Sequence, residues 1–270
     1  MIPRLAMFND IAGFGRCSTT VSLPVISAMQ VQVCPVPTSV LSNHLGFPVW
    51  HAEDQTAHIP DYLDAWKKLK LRFDGLYCGF LGNLEQIAIV EGFLTDFSPG
   101  FFLLDPVMGD HGVCYSSVTP KYCRAMKRLL AKADLITPNI TEACLLTDTP
   151  YREDGSWTDY ELTDICRKLS TLCDGKVVIT GLSRDGYFLN YIWQDGHRTT
   201  CTTKSAGASR PGTGDLFASI LAADALNHID LDTSVKKASA FVARCIAGSE
   251  EAGIPVQEGV LFEKYLRELM

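Results

Sequence analysis

Short, almost wholly apolar runs alternate along the chain with longer stretches in which apolar positions recur every three or four residues. Leu5–Phe8, Gly75–Leu81, Phe101–Val107, Leu135–Thr137 and Lys176–Thr180 read as strands. Runs that are apolar on both faces suit a buried parallel sheet. Helical periodicity spans about Ser18–Met29, bent at Pro24, then Asp61–Leu69, Leu84–Phe97, Lys121–Ala133, a segment following Glu142, Asp159–Leu172, Leu216–Leu226, Thr233–Cys245 and Val260–Leu269. Val31–Leu41 is extended, but Pro35 and Pro37 argue for an edge or broken strand. Gly186–Trp193 and His197–Thr203 flank Gln194-Asp195-Gly196 and predict a hairpin. With no repeat, low-complexity tract or linker, the alternation predicts one α/β domain over residues 1–270 with a largely parallel sheet.

Ligands of such sheets bind beyond the carboxyl ends of the strands. Polar residues collect at those ends: Asn9 and Asp10; Asp105 and Asp110; Thr137, Asn139 and Glu142; Thr180 and Gly181. Each has a structural explanation when taken alone. Asp105 before Pro106 suits a turn, and Asn139 with Glu142 three residues on suits a capping box. One shared site explains them together.

The sharpest feature is Arg210-Pro211-Gly212-Thr213-Gly214-Asp215, a glycine-rich turn running into a helix. Free amides at a helix start form an anion site. A carboxylate beside bound phosphate is repelled by it, unless the carboxylate takes a proton from a nucleophile attacking that phosphate. An ordinary N-cap by Thr213 or Asp215 is the competing explanation. Phosphoryl transfer needs amides for oxyanions, carboxylate-held Mg²⁺ and a base. There is no P-loop motif, and Gly13-Phe14-Gly15 meets Ser18 where a dinucleotide fingerprint has a third glycine.

Composition narrows the classes. The 47% apolar fraction over 270 residues provides for a large core, and the formal net charge of -7 without a basic block argues against nucleic acid as the main partner. The N-terminus has no signal-peptide pattern, and no run nears the ~18 apolar residues of a membrane span. The 10 cysteines include no Cys-x-x-Cys pair, which removes zinc-ribbon and thioredoxin readings. Packed, reduced thiols predict a cytoplasmic protein.

Gly212-Thr213-Gly214-Asp215 resembles the anion-hole motif of the ribokinase-like superfamily. Asp105-Pro106-Val107-Met108-Gly109-Asp110, Thr137-Pro138-Asn139-x-x-Glu142, Ser42-Asn43-His44 and Gly79-Phe80-Leu81-Gly82 are similar to motifs of the pyridoxal kinases, and Asn9–Cys17 to the pyridoxamine kinase branch. The resemblance implies a ribokinase-like three-layer sandwich and ATP-dependent phosphorylation of the 5'-hydroxymethyl group of a B6 vitamer.

It implies Asp215 as base and the amides of Gly212, Thr213 and Gly214 around the transferring group. Asp105 and Glu142 would act with Mg²⁺, Asn139 and Asp110 would face the nucleotide phosphates, and Thr180 and Gly181 would lie in the ATP site. Thr137 and Thr180 would sit near a monovalent cation, K⁺, and near the phosphates. The ring would lie among Asp10, Ser39, Phe80 and Tyr115, with His44 close by. A homodimer is also implied. The chain departs from the pattern at Asp10, where many relatives have serine, and at Phe80, where many have tyrosine. The alternative is a hydroxymethylpyrimidine kinase. A sugar or nucleoside kinase lacks its early Gly-Gly pair here, and a B6-binding carrier has no need of Asp215.

Overall fold

The strands are β1 (Arg4–Ala12), β2 (Gln32–Leu41), β3 (Ala52–Asp54), β4 (Gly75–Cys78), β5 (Phe102–Leu104), β6 (Gly109–Asp110), β7 (Val113–Cys114), β8 (Leu135–Ile136), β9 (Lys176–Arg184), β10 (Tyr187–Gln194) and β11 (His197–Lys204). The helices are α1 (Thr19–Ala28), α2 (Ile59–Lys68), α3 (Leu84–Phe97), α4 (Pro120–Leu130), α5 (Ile140–Thr147), α6 (Asp159–Leu172), α7 (Thr213–Leu226) and α8 (Leu231–Glu251). This is a computed structural model, and it describes residues 2–152 and 155–270. Nine strands form one sheet, ordered β11-β10-β9-β8-β5-β4-β1-β2-β3, and β6 pairs with β7 as a separate ribbon.

The run β2-β1-β4-β5-β8-β9 is parallel throughout. Within this sheet β3, β10 and β11 run antiparallel to their neighbours, and the β6–β7 ribbon is antiparallel as well. Alternation along each strand divides the core in two. Leu5 and Met7 of β1 join Tyr77, Leu103 and Val178 under α1, α7 and α8. Ala6 and Phe8 join Leu76, Leu104 and Ile179 under α2–α6. Period-two side chains that are apolar on both faces can be buried only between two helical layers. The result is the predicted three-layer α/β sandwich.

Besides the unexpected β6–β7 ribbon, four departures from the sequence expectations stand out. β1 extends to Ala12, so Asn9 and Asp10 are strand residues and not the following loop, because β2 goes on pairing with β1 through Leu41. β2 is covered on its far side by β3, a strand without apolar periodicity, but only over Ser39–Leu41. Pro35 and Pro37 fall in the uncovered part, where a missing N–H costs nothing. β9 runs on to Arg184 and forms a hairpin with β10 as well as the predicted one between β10 and β11. The last segment is a 3₁₀ helix, Glu263–Leu269, in place of an α-helix over Val260–Leu269. Among the described residues no helix is long and apolar enough to cross a membrane.

Candidate active site

A cavity of about 930 Å³ opens at the carboxyl ends of the parallel strands. Two irregularities of the sheet's pairing, one parallel and one antiparallel, occur in its wall. Between Asn9 and Ile11 the register with β2 shifts, setting Thr38 and Ser39 against Asp10. Between β9 and β10 it shifts at Thr180–Gly181. Such bulges re-aim side chains at the end of a sheet.

Helix α7 supplies the centre of the site. Its N-cap is Gly212, at φ 81°, with no side chain capping the helix. A Cβ on Gly212 would overlap the Arg16 carbonyl oxygen, so glycine is required here by both conformation and space. The first-turn amides, including those of Thr213 and Gly214, are left for a ligand, and the space above Gly214 is open. Asp215 does not cap its own helix. One carboxylate oxygen accepts from the Ser18 N–H at 2.7 Å and the other from Asn9 Nδ2 at 3.3 Å. Burial raises the Asp215 pKa from 3.8 to about 6, and the negative charge of Asp10 adds to the shift.

On the opposite wall, Asn139 caps α5 and Glu142 closes a capping box with it. Both roles of this pair coexist with a place in the cavity lining. Glu142 accepts from Met108 N–H at 3.0 Å and Asn139 N–H at 2.8 Å. Asn139 Nδ2 donates to the Gly109 carbonyl at 2.8 Å, tying α5 to the β6–β7 ribbon. Thr180 N–H donates to the Pro138 carbonyl at 2.9 Å and holds β9 against this corner. Burial pushes Glu142 upward despite these bonds, and burial together with Glu142 and Asp215 pushes Asp105 well above the carboxylate range.

These features fit a cation. Thr137 Oγ1 is buried without a partner, and Asp105 and Glu142 repel one another. Among the described residues no three His, Cys, Asp or Glu side chains form a metal cage. Two carboxylates beside an unpartnered hydroxyl are a donor set of the kind that holds Mg²⁺ together with substrate phosphates and water.

Asp10, Phe80, His44 and Tyr115 also line the cavity. Asp10 is 5% exposed and its pKa is raised by burial, with only a Ser18 side-chain hydrogen bond and its own backbone opposing the shift. His44 Nε2 lies 2.7 Å from the Gln257 carbonyl oxygen. Tyr115 is on the loop after β7 and keeps an exposed face.

Every candidate residue from the sequence lines this one cavity except Ser39, which is buried and pairs with Asp54 of β3. The extra residue in β2 reverses the alternation there. Asn9, singled out from the sequence as a polar strand-end residue without a role, touches Asp215, and its Oδ1 accepts from Phe80 N–H at 3.0 Å. Its only sequence signal is the position beside Asp10. The Ser18 amide carries no sequence signal at all. Cys17 also lines the cavity, but burial and the charges of Asp215 and Asp10 hold its thiol neutral.

The phosphomethylpyrimidine kinase family model matches residues 25–260. A structure from Bacteroides thetaiotaomicron VPI-5482, provisionally named a phosphomethylpyrimidine kinase, is 36% identical, with a TM-score of 0.94 over 99% of this chain and 94% of its own. Another crystal form from that organism, under the same name, contains pyridoxal. Pyridoxal kinase from Lactobacillus plantarum is 27% identical, with a TM-score of 0.93 over 100% of this chain and 97% of its own. The hydroxymethylpyrimidine/phosphomethylpyrimidine kinase of Haemophilus influenzae is 31% identical over 63% of this chain. The matches span 38% and 63% of the lengths of the first two curated relatives. With its model covering residues 25–260 and pyridoxal kinases among its homologues and structural neighbours, the chain belongs to the phosphomethylpyrimidine kinase family.

Proposed function

We propose that the protein is an ATP-dependent kinase that phosphorylates the 5'-hydroxymethyl group of a B6 vitamer. The observation that carries this is Asp215. It is a carboxylate in the first turn of an uncapped, glycine-led helix, held by Ser18 and Asn9, in a cavity walled on one side by Phe80 and Asp10. Pyridoxal in the Bacteroides relative supports the acceptor.

Asp215 takes the proton of the substrate hydroxyl as its oxygen forms a bond to the γ-phosphorus of ATP. The bond from that phosphorus to the β–γ bridging oxygen breaks, and ADP leaves. The amides of Gly212, Thr213 and Gly214 donate to the transferring phosphoryl oxygens, in a site where such donors act without reorganising. Asp105, Glu142 and Thr137 would hold Mg²⁺, which when bound neutralises phosphate charge. Thr137 would also border a monovalent cation. Asn139, Asp110, Thr180 and Gly181 line the nucleotide side. Phe80 and Tyr115 offer aromatic faces to the ring, with His44 at its edge and Ser39 behind the wall as support.

Asp10 is buried with no basic side chain among the causes acting on it. Its role here is to accept a hydrogen bond from a protonated ring nitrogen or amine. Unchanged relative rates for pyridoxal, pyridoxine and pyridoxamine in Asp10→Ser would refute that role.

Hydroxymethylpyrimidine is the second reading, favoured by the family model itself and the Haemophilus relative. ADP formation, measured with each vitamer and with hydroxymethylpyrimidine, separates the two. We expect turnover with B6 vitamers and, in Asp215→Asn, a loss of about 10²–10⁴-fold with ADP binding retained. Turnover of hydroxymethylpyrimidine alone, or near-parental rates in Asp215→Asn, would sink the corresponding claim.

A further inference from the structure

The turn Ile254–Gly259 fastens both halves of the cavity. On the phosphoryl side, Arg210 stands two residues before Gly212, with its side chain 2% exposed. Its Nη1 donates to the carbonyls of Ile254 at 2.9 Å, Pro255 at 3.2 Å and Gly259 at 3.3 Å, and its Nη2 to Glu250 at 2.9 Å. The Arg210 carbonyl in turn accepts from Thr213 Oγ1 at 3.0 Å.

On the acceptor side, Arg16 N–H donates to the Glu258 carbonyl at 3.1 Å, and the Arg16 side chain pairs with Glu263 at 2.7 Å. His44 reaches Gln257 of the same turn. At Gly259, φ 81°, a Cβ would meet the Arg16 oxygen at 2.6 Å and the Pro211 oxygen at 3.1 Å. The turn is therefore wedged between the opening loop and the anion-binding turn with no slack.

A buried guanidinium is costly unless its donors are met. Here nearly all of its donating capacity goes to one turn and one carboxylate, leaving only Nε without a partner. A planar fork meeting several fixed acceptors sets distance and angle together, which a lysine does not do. Rate is sensitive to such placement, and a 1 Å error costs on the order of 10²-fold.

We propose that Arg210 is a positioning residue: through the Ile254–Gly259 turn it holds the Gly212–Asp215 amides in register with the acceptor side of the cavity. This rests on the kinase reading above. The test compares Arg210→Met and Arg210→Lys with the parent full-length chain, using ATP and whichever acceptor the parent turns over. Folded protein is counted by circular dichroism and melting.

The expected result is a kcat per folded molecule at least tenfold lower, with both KM values and the ADP Kd within about twofold. Lysine should not rescue, since one ammonium cannot meet three carbonyls and a carboxylate together. A smaller loss, or one confined to KM or to the folded fraction, overturns the proposal. If the methionine variant does not fold, the lysine variant, which keeps a charge beside Glu250, decides by the same criteria. A parent that uses no B6 vitamer would defeat the function reading alone, because the comparison then runs on hydroxymethylpyrimidine or another accepted alcohol.

Discussion

At the scale of the residue, Asp215 shows why a motif needs its neighbours. An acid at a glycine-rich helix start has two meanings, cap or base. The cap is excluded by partners that lie 197 and 206 residues away, Ser18 and Asn9. Its raised pKa sets a pH test. As the proposed base, Asp215 must be unprotonated, so kcat/KM should climb with pH through about 6 and level off above. Asp10→Asn removes a like charge and should move that limb to lower pH. A limb unmoved in this variant would separate the two carboxyls.

Stability follows the same shift with its own sign. A carboxyl raised in the fold from 3.8 to about 6 stabilises fully below its unfolded value, and that contribution is lost as pH rises through about 6. The melting temperature of Asp215→Asn relative to the parent should therefore increase between pH 5 and pH 7.5. Of the site's chemistry, the acids were readable because strand ends in an α/β sheet converge. The amides that hold them were not, because a backbone N–H has no sequence signature.

At the scale of the element, α5 does two jobs with one residue. Asn139 caps the helix through its oxygen and ties the β6–β7 ribbon through its nitrogen. Asn139→Ala should cost about 0.5–2 kcal/mol from the cap alone. Asn139→Ser keeps a capping oxygen but cannot supply the tie. We expect it to melt near the parent temperature while KM for ATP rises, as thermal melts and steady-state kinetics will report. The capping box was legible from Asn139-x-x-Glu142. The tie to Gly109 was not, because it joins segments that the sheet brings together. The 3₁₀ ending at Glu263–Leu269 was missed for a related reason. Its periodicity suits an α-helix, but the segment's shape follows its packing, with Tyr265 buried in the face shared by α1, α7 and α8.

At the scale of the whole molecule, the sheet separates two cores, and its central strands serve both. Leu103 of β5 is fully buried on the α1, α7 and α8 side. Leu103→Ala should cost about 2–5 kcal/mol while leaving kcat per folded molecule unchanged. A selective loss of kcat would mean that this core also sets the geometry of the site.

The sequence settled the α/β class with a largely parallel sheet, because apolar runs buried on both faces admit few other solutions, and its motifs implied the three-layer arrangement by resemblance. It also determined the set of polar strand ends, because the carboxyl edge of a parallel sheet gathers them. Only the tertiary structure decided which atoms satisfy Asp215, that Ser39 stands outside the cavity wall, and that Arg210 clamps the C-terminal turn. Those outcomes depend on two bulges and on contacts across more than 40 residues of chain. Bulges and long-range contacts are set by packing between segments, and no local periodicity encodes them.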